Sequence, residues 1–345
     1  MAGRAELVYT ALEVLIAVAC CLGNVLVVWA VWLCGATRRQ PTFCFIASLA
    51  VADFLVGAVA IPVAILVDGR VSTSFHACVA LCSVVVVLTQ ASVHLLLAIA
   101  LDRFLRVYIP LRYKKLVTPR RSWCVVVGCW LAACLLGSLP PYTSFTSTSP
   151  SSSTSLSSSN SSTFSSPSVC QFVAVMSMSY MVLFNFVSCI LLPMLGTAAL
   201  YAYIFRRISR QLRRRDAVSR HYYRRERSLA RSLVLVLALF AVCWLPIHLV
   251  NVAVYCGSEP PQGLIYLGIL LSHANSAVNP VVYTFKVPKI QKAYAEIWRR
   301  YVLGCGRQEH SDSSLENTMN AMPFSYTVKR GKPPNTESSD SRLTD

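Results

Sequence analysis

The sequence predicts an all-α membrane protein, a bundle of seven transmembrane helices followed by a short amphipathic helix. Three observations carry that expectation. Of 345 residues, 55% are hydrophobic and only 14% are charged, a balance for which a water-soluble fold has no sufficient interior. The apolar residues fall into seven blocks, each near the roughly 20 residues a helix needs to cross the hydrocarbon. The formal net charge of +17 gathers in alternate gaps between those blocks.

The blocks run from Tyr9 to Leu33, Thr42 to Val67, Cys78 to Leu101, Trp123 to Leu139, Tyr180 to Ile204, Leu229 to Tyr255 and Gly263 to Phe285. Their hydropathy is helical rather than alternating, which excludes a barrel, and lipid leaves an isolated span no other way to pair its backbone. The first follows a short tail, residues 1–8. It is too long for a signal-peptide core and no small-residue cleavage pattern follows, so it is expected to be retained. Arg38 and Arg39 follow span one, Arg112 to Arg121 span three, and a dense run from Arg206 to Arg231 span five; the positive-inside rule puts these loops in the cytoplasm and the N-terminus outside. Val287 to Val302 reads as a helix lying on the membrane with Ile290, Tyr294, Ile297 and Tyr301 on one face. The expected organisation is thus an extracellular N-terminus (1–8), a seven-helix bundle with its surface helix (9–302) and a cytoplasmic tail (303–345). A basic rim of this kind has anionic membrane lipid and a cytoplasmic partner to meet, not nucleic acid.

Most of the fourteen cysteines fall inside spans, where a thiol acts as a small apolar group. Three lie on the outer side: Cys78, Cys170 and Cys256. An oxidising exterior predicts a Cys78–Cys170 bridge and leaves Cys256 odd. Residues 143–168 are almost all Ser and Thr, with a glycosylation sequon at Asn160, and are expected to be disordered. Cys305, inside, is a candidate for palmitoylation or a plain thiol. The polar tail offers serines to kinases.

A charge at bilayer depth is costly, so polar residues within spans point to function. Asp53, with Asn24, Ser92, Asn275, Ser276 and Asn279 near its level, forms either a hydrated pocket for a small cation such as sodium or a hydrogen-bond network without an ion. Asp102 and Arg103 end span three and Glu226 lies at the inner end of span six, a pattern that reads as a two-position ionic switch or as a snorkelling arginine. Trp244, His248 and Asn251 share one face of span six; Ser272, Ser276 and Asn279 share one of span seven, with Ile269 above; Val85, Thr89 and Ser92 share one of span three. These faces converge on a cavity. A core histidine satisfied by a neighbour is the bland alternative for His248 or His273, and Glu13 is the neighbour expected for His273.

Gly23-Asn24, Leu49-Ala50-Val51-Ala52-Asp53, Asp102-Arg103-Phe104, Trp130, Cys243-Trp244-Leu245-Pro246, Pro193 with Tyr201, and Asn279-Pro280-Val281-Val282-Tyr283 resemble the landmarks of rhodopsin-like G-protein-coupled receptors. Phe104 stands where tyrosine is usual. A finer resemblance, to the adenosine receptors, rests on Trp244 to Asn251, Leu271 to Ser276, Leu88-Thr89-Gln90, Cys170-Gln171-Phe172-Val173, Glu13, Ile109 to Tyr113 and Val117 to Arg121. Gln171-Phe172-Val173 and Ser272 to Asn275 look like the third subtype; His248 and Asn185 look like the others.

The resemblance implies a receptor for extracellular adenosine at the plasma membrane that couples to inhibitory G proteins and lowers cyclic AMP, with kinases and arrestin acting on the tail. It implies a ligand set of Phe172, Asn251, His248, Trp244, Ser272, His273, Ile269, Thr89, Glu13, Asn185 and Met181. It implies sodium held by Asp53, Ser92, Asn275 and Asn279, no other cofactor, and a switch of Asp102, Arg103, Glu226, Tyr201 and Tyr283. By the same resemblance His273 fills the place of a retinal lysine and Val85 that of an amine receptor's aspartate, so neither reading holds. No nucleophile with a base, paired aspartates or zinc helix points to an enzyme. A transporter, the alternative along with a receptor for another purine-like ligand, would show internal repeats, and none is seen.

Overall fold

In a computed structural model of the chain, the described residues are 2–33, 40–69, 71–138, 168–214, 217–286 and 288–299, and all but Arg299 belong to one compact unit ending at Trp298. Helix α1 runs Ala2–Leu33 and α2 Pro41–Asp68. Helix α3 is Phe75–Tyr108, and the short α4, Pro110–Leu116, leads into α5, Pro119–Gly137. A four-residue turn of helix, α6 (Phe172–Val175), precedes α7, made of Tyr180–Leu191 and Leu192–Arg214. Then come α8 (Ala217–Tyr255), α9 (Gln262–Lys286) and α10 (Pro288–Ile297). One two-stranded antiparallel ribbon pairs β1 (Ser72–Thr73) with β2 (Ser168–Val169).

The seven long helices coincide with the seven apolar blocks, and most run beyond them at one or both ends. Residues 2–8 prolong α1 instead of forming a tail, and α8 starts twelve residues before Leu229. Hydropathy marks only the slab of lipid, whereas Arg, Glu and Leu keep a helix going in water. Among the described residues six helices are long and apolar enough to span by composition, and α9 is not among them. Its inward face is loaded with Ser272, His273, Asn275, Ser276 and Asn279, all buried, and this lowers its average without changing its place in the bundle. A short amphipathic helix is present within the expected Val287–Val302, over Pro288–Ile297, with Ile290, Ala293 and Ile297 buried and Tyr294 packed against the same core; Tyr301 lies outside the described residues.

Two helices widen where a proline follows. Val56–Ala60 in α2 and Tyr180–Leu191 in α7 are π-helical, just before Pro62 and Pro193. Proline has no N–H and its ring crowds the carbonyl four residues back, and a wider turn relieves both problems. Pro246 and Pro280 sit inside α8 and α9.

Packing follows membrane logic. Leu7, Leu12, Leu15, Leu22 and Trp32 of α1 point outward, because lipid is the solvent there, while Val27, Leu49, Leu95, Ile99 and Ile290 are fully enclosed between α1, α2, α3 and α10. With no hydrophobic force between helices in lipid, small residues must let backbones approach. A Cβ on Gly57 would stand 2.6 Å from Cys20 Cβ, and one on Gly137 would stand 2.6 Å from Val87 Cγ2 and 3.0 Å from its Cα. A Cβ on Gly128, on the same helix as Gly137, would meet nothing within 4 Å.

The two glycines of α5 should therefore respond in opposite senses. Gly137→Ala should cost about 1–3 kcal/mol through overpacking against α3. Gly128→Ala should be neutral or gain up to about 1 kcal/mol of helix propensity. Thermal unfolding of the detergent-solubilised protein would check this, and equal shifts for both would contradict the packing.

Candidate ligand cavity and polar switches

The outer end of the bundle is tied together before any ligand is considered. Cys78 at the start of α3 and Cys170 after β2 form a disulfide with Cα atoms 5.5 Å apart, and Cys170 N–H donates to the Val71 carbonyl at 2.9 Å. Two residues on, Phe172 opens α6 and packs against the cluster that contains Cys78, Cys82, Val86, Met176 and Met181. The bridge expected from sequence thus anchors the loop that carries Phe172. Cys256 is exposed and free, while Asn160 and Cys305 lie outside the described residues.

Below this loop, α3, α7, α8 and α9 present buried polar groups. His248 is 2% exposed, its ring stacked on Phe186 at 4.7 Å and on Trp244 at 5.9 Å. Neither of its nitrogens, nor Trp244 Nε1, makes a hydrogen bond. His273 differs, since its Nδ1 lies 2.7 Å from Oε2 of the fully enclosed Glu13. The expected Glu13–His273 pair is present, whereas His248 is not the satisfied core histidine of the bland reading. Ser272 donates its hydroxyl to the Ile269 carbonyl at 2.7 Å and Thr89 donates to Val85 at 3.0 Å, so both turn their protons to their own helices and leave an oxygen lone pair facing away. Asn251 is half-buried one turn above His248.

Asn185 is not the free polar group that the ligand set implies. Its Oδ1 accepts a hydrogen bond from Gln90 Nε2, and both residues are buried, bridging α7 to α3. Gln90 Oε1 and Glu13 Oε1 make no hydrogen bond. Gln90 stood in a motif without a role; the signal was its place next to Thr89, one step off the inward face.

At mid-depth the Asp53 carboxylate, fully buried, accepts from Asn279 Nδ2 at 2.7 Å, Ser276 Oγ at 2.9 Å and Ser92 Oγ at 3.3 Å. Asn24 donates to the Cys20 and Ser276 carbonyls at 2.9 and 3.0 Å, and its Oδ1 makes no hydrogen bond. Asn275 is buried on α9, but the serine contact to Asp53 from that turn comes from Ser276. The carboxylate and the Ser92 and Ser276 hydroxyls are hard oxygens of the kind a small cation takes, whereas Asn279 turns its amide N–H to Asp53.

At the inner end Asp102 accepts from Thr42 Oγ1 at 2.5 Å and from Tyr113 Oη at 2.6 Å, while Arg103 Nε lies 3.9 Å away. Arg106 donates to both Thr42 and Tyr113, with its guanidinium 4.9 Å from the Tyr113 ring centre. Thr42, Arg106 and Tyr113 went unassigned in the sequence, because their meeting depends on α4, whose Pro110 start turns Tyr113 back under α3. Burial pushes the Tyr113 phenol above its usual range, with the Asp102 carboxylate adding to this, so it stays a neutral donor at physiological pH. Tyr201 is buried against Ala100, Val107 and Ile204. Glu226 and Tyr283 lie on α8 and α9, and their side chains are outside the described residues.

A bundle of seven spans, a disulfide-pinned outer loop and three stacked polar centres define a membrane receptor, and the family description "7 transmembrane receptor (rhodopsin family)" matches residues 23–283. The chain belongs to that family, and is therefore a multi-pass membrane receptor, neither an enzyme nor a transporter. Within the family it is 39% identical over 318 residues to adenosine receptor A3 of Canis lupus familiaris, covering 90% of this chain and 97% of that one. It is equally 39% identical to adenosine receptor A3 of Bos taurus over 317 residues, with 91% and 96% covered, and to that of Ovis aries over 313 residues, with 90% and 95% covered.

Tyr113→Phe should leave the buried Asp102 carboxylate short of one charge-assisted hydrogen bond and cost about 1.5–3 kcal/mol. The measurement is the melting temperature of the purified receptor; an unaltered melting point would show that Thr42 alone satisfies Asp102.

Proposed function

We propose that this receptor binds extracellular adenosine at the plasma membrane, with its N-terminus outside, and lowers cyclic AMP through an inhibitory G protein. One observation carries the reading. Enclosed polar atoms of Trp244, His248, Gln90 and Glu13 make no protein hydrogen bond, although such atoms cost about 1–3 kcal/mol each unless matched. Trp244 and His248 share α8 with Asn251, Gln90 lies on α3 with Thr89, Glu13 of α1 contacts His273, and the relatives at 39% identity are named adenosine receptors.

In this reading Phe172 stacks on the purine face beneath the disulfide-pinned loop. Asn251, whose amide both donates and accepts, pairs with the exocyclic amine and a ring nitrogen of adenine. Ser272 and His273 take the ribose hydroxyls, with Glu13 holding the imidazole by its Nδ1 and leaving Nε2 for the sugar. Ile269, Met181 and Thr89 line the cavity, and Asn185 acts through Gln90. Signalling is a population shift: the ligand binds better when the inner part of α8 has swung outward, which opens a cleft for the G protein between the basic ends of the helices. Arg103 with Glu226, Tyr201 and Tyr283 forms the inner switch, and kinases and arrestin act on the tail.

Sodium at Asp53, with Ser92, Asn279 and Asn275 or Ser276, would favour the resting state. When bound, the ion supplies positive charge to a carboxylate that otherwise relies on three neutral donors.

Adenosine applied to cells expressing the receptor should lower forskolin-raised cyclic AMP, and Asn251→Ala should weaken adenosine binding by about 10- to 100-fold, which is the loss of about 1–3 kcal/mol. A surface-expressed Asn251→Ala that binds adenosine as the wild type does would remove the assignment. For the cation, Asp53→Asn should abolish the drop in agonist affinity caused by added sodium chloride; a full sodium effect in that variant would exclude Asp53 as its site.

A further inference from the structure

The disulfide at the outer end has a third sulfur beside it. Cys82 lies one turn below Cys78 on α3, and its Sγ is within 4.8 Å of the sulfurs of both Cys78 and Cys170. All three residues are enclosed, at 3%, 1% and 2% exposure for Cys78, Cys82 and Cys170, among Val86, Val175, Met176 and Met181. Among the described residues no other three cysteines gather so closely. A buried thiol ordinarily acts as a small apolar group. Next to a disulfide it is also a nucleophile within reach of its electrophile, because disulfides rearrange by attack of a thiolate on one of the two sulfurs.

Geometry decides which sulfur can accept the new bond. Cys78 and Cys82 are four residues apart on one helix, which holds their Cβ atoms about 5–6 Å apart, whereas a disulfide needs roughly 3.5–4.5 Å. A bridge between those two would distort α3. Cys170 belongs to the loop and is free of that constraint. Its Sγ would close a gap of at most about 3 Å, from no more than 4.8 Å to the roughly 2.0 Å of an S–S bond. What holds Cys170 at the outer position is its N–H on the Val71 carbonyl and the pairing of Ser72 with Val169 and Thr73 with Ser168.

We infer that Cys82 is a second partner for Cys170, and that the Cys78–Cys170 bridge interchanges with a Cys82–Cys170 bridge one turn deeper on α3. In the exchange Cys82 gives up its proton and its sulfur bonds to Cys170 Sγ. The Cys78–Cys170 bond breaks, the electron pair leaves on Cys78 Sγ, and Cys78 takes up a proton. One disulfide and one thiol stand on each side, so no oxidant or reductant is consumed. The deeper anchor lies about 6 Å further along α3 and draws the start of α6 with it, which gives Phe172 a second position over the cavity. The pairing itself is independent of any ligand; only its effect on binding rests on the adenosine reading.

The test is disulfide mapping of the full-length receptor in detergent. The protein is denatured in acid with a maleimide, which caps free thiols and freezes the pairing, and is then cut with chymotrypsin, whose cleavage after Leu81 separates Cys78 from Cys82. The wild type should yield a minor peptide joining Cys82 to Cys170, matched by an equal share of capped Cys78, and Cys82→Ser should lack it. In Cys78→Ser, where Cys170 has lost its outer partner, the same peptide should become the major product, and Cys78→Ser with Cys82→Ser should leave Cys170 capped. A wild type in which every Cys82 carries the maleimide overturns the proposal, as does a Cys78→Ser receptor with Cys82 and Cys170 both capped. A peptide joining Cys78 to Cys82 would show attack on the other sulfur and overturn it too. If Cys78→Ser does not fold, the wild-type map alone decides. Failure of adenosine to bind would remove the ligand reading and leave this map unchanged.

Discussion

In hydrocarbon a carboxylate has no water to turn to, and the fully buried Asp53 draws its partners from the bundle itself. Ser92 brings α3, and Ser276 and Asn279 bring α9, while Asn24 ties α1 to the same turn of α9 through the Ser276 carbonyl. Four helices are thus fixed in rotation and depth by one acid and one amide. Between apolar helices in lipid there is little hydrophobic preference for any rotation, so such polar contacts choose the register and the small residues only permit it. Gly57 and Gly23 illustrate the second role. A Cβ on Gly57 would press on Cys20 of α1, and one on Gly23 would come within 3.0 Å of Pro280, both beside the Asp53 network.

Two further carboxylates repeat the device at other depths. Glu13 links α1 to α9 through His273 toward the outer end, and Asp102 links α3 to α2 and α4 through Thr42 and Tyr113 at the inner end. Among the described residues Asp53 and Glu13 meet no guanidinium, and the ion pair of Asp102 with Arg103 is long, at 3.9 Å. Each is held by hydroxyl, amide or imidazole donors. Neutral donors hold a buried charge less tightly than a full counter-ion would, and so leave it open to exchange one partner for another. A receptor that must occupy two states benefits from that weakness, since a buried ion pair at every level would fix one arrangement.

How far the sequence reveals this depends on how local each signal is. Span positions were legible because twenty apolar residues in a row have one physical outcome. The Cys78–Cys170 bridge and the Glu13–His273 pair were legible too, since the few outer cysteines and the lone intramembrane glutamate left little choice of partner. Helix ends were not: α8 continues to Ala217 on helix propensity in water, which hydropathy does not register. The Tyr113–Asp102 contact was hidden because it depends on the direction in which a seven-residue helix leaves α3. The pairing of Gln90 with Asn185 was hidden for a related reason. Gln90 lies one step off the inward face of α3, and Asn185 looks like a free polar group until α7, wide over Tyr180–Leu191, sets it against α3.

The same accounting separates the two cavity histidines. His273 has its Nδ1 committed to a carboxylate, which fixes the ring and leaves Nε2 with a defined role. His248 is fixed instead by its faces, stacked on Phe186 and Trp244, and both nitrogens remain open. In the neutral ring one of them donates and the other accepts, so His248 can offer either. Added to the Trp244 N–H and the free oxygens of Gln90 and Glu13, this gives the enclosed cavity at least one spare donor and several spare acceptors between flat aromatic faces. A purely apolar ligand would bury these atoms unmatched, and a highly charged one would meet no full counter-charge on the histidine. Under the adenosine proposal, a flat, neutral molecule with both donors and acceptors on its edge would satisfy them.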